Sequence, residues 1–116
     1  MFASLSDENR IKAIMKRLEV STPFVSALAV RDGVPKASLP VLRDGLSRGL
    51  RSETSQPLLR LLQRLDTLVS QFHPVKIQLV NATEVFDWLV LFESGRLKLW
   101  VDEVDAVPNE VVVIGR

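Results

Sequence analysis

Cysteine is absent from this chain, which excludes disulfides, thiolate metal sites and cysteine nucleophiles. Histidine occurs once, at His73, so no pair of imidazoles can hold zinc; beside Pro74 it reads as a helix-end or surface residue. Long apolar runs are also missing. Arg60, Arg64 and Asp66 interrupt the richest stretch, and no segment reaches the roughly 20 residues that span a bilayer. The opening residues, MFASLSDE, carry neither a basic leader nor an apolar run, so no export signal is expected and the expectation is a soluble, cytoplasmic protein. There is no phosphate-cradling glycine loop, nucleophile elbow or base-orienting triad. A convergent acid, base and nucleophile cannot be assembled, so neither an enzyme nor a cofactor is expected. Asp102, Glu103 and Asp105 lack the spacing and terminal glutamate of a calcium loop and read as a solvated turn.

What is present suffices for a packed domain. The chain has 116 residues, 47% of them hydrophobic, enough to bury a core. Its net charge of +1 is unevenly spread. Residues 1–30 hold four Lys/Arg against three acids, residues 31–64 seven against three, and residues 65–116 four against eight. The middle is therefore basic, and a basic segment attracts phosphate.

Periodicity and capping residues divide the chain further. A first helix is predicted from Asp7 to Val20, with Ser6 as N-cap and Ile11, Ile14, Met15 and Leu18 facing inward. Thr22 is the expected cap of a second helix that carries Pro23 in its first turn and stops near Asp32-Gly33. Pro40 would break a helix begun at Pro35, so the third helix is placed from Ser38, ending between Leu46 and Leu50 where Gly45 and Gly49 weaken it. Thr54 or Ser55 is expected to cap a fourth helix with Pro57 in its first turn. Its apolar arc, from Leu58 to Phe72, is wide enough to be wedged between two layers or shared with a partner chain. Beyond Pro74, residues 75–79, 97–101 and 111–114 read as strands, and Asn81 or Thr83 caps a helix through Phe92 that ends at Ser94-Gly95. Trp88 and Trp100 are expected as core or interface anchors. The expected fold is α+β and mainly helical: a bundle of four to five helices over residues 1–73, then a strand-helix-strand-strand tail over 74–116 that dimerises.

Within the basic middle, Ala29, Gly33 and Leu39 sit at a spacing that suits two closely packed helices joined by a turn. A small side chain allows close approach, glycine supplies positive φ, and leucine anchors the second helix, with Leu28 and Val34 in support. The pattern resembles the lambda-repressor and Cro-like helix-turn-helix family of phage and bacterial regulators over residues 7–72, with the signature itself in 24–42. Val25 stands where that family has glutamine, Asp32 where an apolar residue is commoner, and Pro40 lies within the recognition segment.

The resemblance implies a second motif helix lying in the major groove of double-stranded DNA, with two copies on half-sites about one turn apart. Carried onto this chain, the DNA-contacting residues are Lys36, Ala37, Ser38, Arg43, Arg48 and Arg51. Arginine suits the guanine edge, while Lys36 suits phosphate and Ser38 competes as a helix cap. The expected function is a homodimeric transcriptional regulator acting by operator occupancy, with no membrane or small-molecule partner. The alternative is a non-catalytic interaction module, such as a phage-type inhibitor or assembly adaptor, that uses the same helical fold.

Overall fold

The computed structural model describes residues 6–72, 76–96 and 111–114. The chain is mainly helical. Helix α1 spans Asp7–Leu18, with Ser6 Oγ accepting the Asn9 N–H at 3.2 Å. Its acidic first turn and basic last turn complement the helix dipole. Helix α2 (Thr22–Arg31) starts one residue earlier than expected, at Thr22 itself, because Ser21 rather than Thr22 is the N-cap and accepts the Phe24 N–H. Helix α3 (Leu39–Arg48) begins after Ser38, as the position of Pro40 requires, and Gly49 ends it at φ 120°.

Helix α4 (Ser52–Ser70) departs most from expectation, since it starts well before Thr54 and Ser55 and Arg51 is its N-cap. The reason is tertiary. Both hydroxyls are buried and are used elsewhere: Thr54 Oγ1 donates to the Pro35 carbonyl at 2.8 Å and Ser55 Oγ to the Asp7 carboxylate at 3.1 Å. Pro57 consequently lies inside the helix. The carbonyl it leaves without an intrahelical donor is that of Glu53, an exposed first-turn residue that water can reach.

One buried cluster joins the helices. Ile11, Leu28, Leu42, Leu61 and Leu65 are fully buried, and Val85 and Leu89 from beyond residue 74 belong to the same cluster. Burying each such leucine contributes about 1.5–3 kcal/mol. The wide arc of α4 is absorbed within the chain, since α4 packs against α1 on one side and α5 on the other. A bidentate Arg17–Asp66 pair, 2.7 Å at its shorter contact, links α1 to α4.

Strand β1 (Lys76–Leu79) is followed by α5 (Ala82–Glu93), capped by Asn81 Oδ1 and closed by Gly95 at φ 80°. Helix α5 packs against α2, and Trp88 meets Phe72 with ring centroids 6.4 Å apart. Strand β2 (Val111–Ile114) lies parallel to β1, with Lys76 opposite Val111 and Leu79 opposite Ile114. The strand expected at 97–101, the acidic turn at 102–109, and His73 and Trp100 lie outside the described residues.

Candidate nucleic-acid interface

The seven residues between α2 and α3, Asp32 to Ser38, form a turn pinned from both sides. At its start the Val34 N–H donates to the Ala29 carbonyl at 2.9 Å, and Gly33 takes φ 82°, outside the range side chains favour. Ser26 Oγ, buried on α2, donates to the Ala37 carbonyl at 2.7 Å, while Thr54 on α4 holds the Pro35 carbonyl. Two buried hydroxyls thus draw in the carbonyls on either side of Lys36. Lys36 is left exposed at the tip, in the left-handed region at φ 54°. That conformation costs a non-glycine residue about 1–2 kcal/mol, which the two pins offset.

Asp32, the residue atypical before the glycine of a helix-turn-helix, has a structural task here. Arg64 on α4 donates to both Asp32 oxygens at 3.2–3.3 Å and grips Glu93 on α5 through contacts of 2.6 and 2.8 Å. The Arg64 hydrogen bonds hold the Glu93 carboxyl below the usual carboxylate range, against partial burial. Glu8 is lowered as well, chiefly because the Leu50 N–H donates to its Oε2 at 2.8 Å. These contacts fix the turn and the α3–α4 corner relative to α1 and α5.

The corner itself depends on Gly45. A Cβ there would stand 2.8 Å from Leu50 Cγ, so Leu50 folds back over the outer turn of α3 only because Gly45 has no side chain. Between the first turns of α3 and α4 lies an open hollow of about 580 Å³, lined by Lys36, Ser38, Val41, Asp44, Leu50 and Arg51 among others.

The six residues expected at the DNA face are distributed unequally. Ala37 faces inward, 2% exposed, and offers no side-chain surface to a ligand. Ser38 is exposed, and its hydroxyl makes no cap bond to α3. Lys36 Nζ pairs with Glu53 Oε1 at 3.0 Å, and Arg48 Nε pairs with Asp44 Oδ1 at 3.2 Å, one turn back on α3. Arg43 and Arg51 are exposed and have no ion-pair partner among the described residues. The cationic segment therefore presents two free guanidiniums and two cations held in surface pairs. Such pairs are worth about 0–1 kcal/mol and yield readily to a competing phosphate.

No known family, curated protein or solved structure matches the chain. The functional reading accordingly rests on the geometry of these residues. Two of them escaped sequence reasoning: Asp44 and Glu53, the partners of Arg48 and Lys36. The i,i+4 spacing of Asp44 and Arg48 is a visible signal of one pair, whereas the other depends on how the turn meets α4. Among the described residues no group of acids and histidine is placed to hold a metal ion, and no helix is long and apolar enough to cross a membrane.

Proposed function

We propose that this protein is a sequence-specific DNA-binding regulator of the helix-turn-helix type, acting without catalysis by occupying an operator as a dimer. One observation carries the reading: a doubly pinned turn presents Lys36 beside a helix, α3, whose exposed surface carries Arg43 and Arg48, with Arg51 at the next helix start. In this reading α3 lies in the major groove. Arg43 donates to a guanine edge, Ser38 contributes its uncommitted hydroxyl, and Lys36, Arg48 and Arg51 contact phosphates. Occupancy of the site blocks or recruits other proteins there, and salt weakens it by restoring counterions to the phosphates.

The second reading, a non-catalytic interaction module of the adaptor or inhibitor kind, is favoured by Asp44 and Glu53, which already engage two of the four cations. Binding to the DNA upstream of the protein's own reading frame, against a scrambled duplex of equal length, separates the two. A regulator prefers the upstream duplex and loses that preference on Arg43→Ala. Equal weak binding to both duplexes, unmoved by Arg43→Ala and Arg48→Ala, leaves the interaction module.

A further inference from the structure

A second surface feature lies on the α2–α5 face. Val30, Val80 and Val90 are 60%, 59% and 48% exposed; among the large apolar side chains described, only Val41, on α3, is exposed as well, at 40%. They are not scattered. Val80 lines one hollow of about 460 Å³ together with Pro23 and Ala27 of α2. From the last turn of α2 the Arg31 guanidinium stands 5.8 Å from the centroid of Phe86, one turn before Val90 on α5. The starts of α2 and α5 share that hollow and their ends share Arg64, which grips Asp32 and Glu93, so the two helices run in the same direction. A stripe of exposed apolar residues therefore runs along both parallel helices, from Pro23 and Val80 near their starts to Val30 and Val90 near their ends.

Two opposite charges border this stripe, Arg31 on α2 and Asp87 on α5. Neither has an ion-pair partner among the described residues, and they are not paired with each other. A stripe with one unpaired charge of each sign has no net charge to draw a strongly acidic or basic partner. It is, however, complementary to itself, because a two-fold axis brings the cation of one copy to the anion of the other.

We propose that the α2–α5 stripe is a homodimer face, in which Val30 and Val90 of two copies are buried around a two-fold axis and each Arg31 pairs with Asp87 of the other copy. This deepens the dimer half of the reading above and uses none of its nucleic-acid contacts. The two therefore fail separately, one in a mass measurement and the other in a DNA titration.

Sedimentation equilibrium of the full chain, from micromolar to about 1 mM, tests it. Wild-type protein is expected to dimerise within that range, and Val30→Glu or Val90→Glu to weaken the dimer by at least about tenfold, since both copies carry the change and two buried valines leave the contact. Both valines are exposed in the monomer, so the fold is expected to survive, and unchanged thermal melts verify that. Val41→Glu, on α3, is expected to leave the mass distribution unchanged. Arg31→Glu and Asp87→Lys are each expected to weaken the dimer, and the double exchange to restore it. A chain that stays monomeric at about 1 mM overturns the proposal. So does a dimer indifferent to Val30→Glu and Val90→Glu, or a charge exchange without rescue.

Discussion

Replacing Ser26 by alanine removes one of the two pins of the α2–α3 turn and nothing else. The Ser26 side chain is 6% exposed, and its hydroxyl meets the carbonyl of Ala37, itself 2% exposed, at 2.7 Å. The substitution leaves that buried carbonyl without its hydroxyl donor, a loss of about 1–3 kcal/mol. Alanine returns up to about 0.5 kcal/mol, since it is the better helix former at this position inside α2. The balance is a destabilisation of about 0.5–2.5 kcal/mol. For a domain of this size that lowers the melting temperature by several degrees, at about 4–8 °C per kcal/mol. Thermal and urea unfolding followed by circular dichroism measure it, with Ser47→Ala on the exposed face of α3 as the comparison. Thr54→Val, which removes the other pin, is expected to cost a similar amount. Because both hydroxyls hold one turn, the double variant is expected to lose less than the two single losses together. A Ser26→Ala protein as stable as wild type would refute the pinned turn as the device that presents Lys36.

Gly45→Ala is expected to destabilise by about 1–2 kcal/mol despite the gain in helix propensity, because Leu50 must leave its place over α3; a more stable variant in urea would contradict the packing of that corner. The carboxyls of Glu8 and Glu93 lie below their ordinary value of 4.5 in the folded chain. Their contribution to stability is therefore complete above that value and is lost as pH falls through the lower folded values. Melting temperatures taken from about pH 6 to pH 3 are expected to fall in the acid half of the range, with a shallower fall for Glu8→Ala; an unaltered slope in that variant would remove the Glu8–Leu50 contact from the explanation.

Much of the helical architecture was legible because its signals are local. Ser6 and Asn81 cap the helices their positions announce, and Pro40 alone places the start of α3 after Ser38. What was not legible depends on partners distant in sequence. Thr54 and Ser55 look like caps, but Pro35 and Asp7 claim their hydroxyls, so α4 extends back to Ser52 and takes in Pro57. Asp32 looks like a flaw in the turn until Arg64, 32 residues on, supplies its reason. The parallel pairing of residues 76–79 with 111–114 was equally hidden, because neither the alternation of the first nor the β-branched run of the second names its neighbour. At the candidate interface the cations themselves could be read from the sequence. Which of them are free could not, since that depends on Glu53 approaching Lys36 across the turn and on Ala37 turning inward.

The salt dependence of duplex binding measures most directly whether the segment from Lys36 to Arg51 is a DNA-binding face. With Lys36, Arg48 and Arg51 on phosphates, log K falls with log salt at a slope of about −3 per protomer, each of the three contributing about −0.9. Arg51→Ala is expected to flatten that slope by about one, while Arg43→Ala, which loses a base-edge contact, is expected to relax sequence preference with the slope nearly unchanged. A slope near zero, or one that Arg51→Ala leaves intact, would contradict the assignment of this surface to nucleic acid.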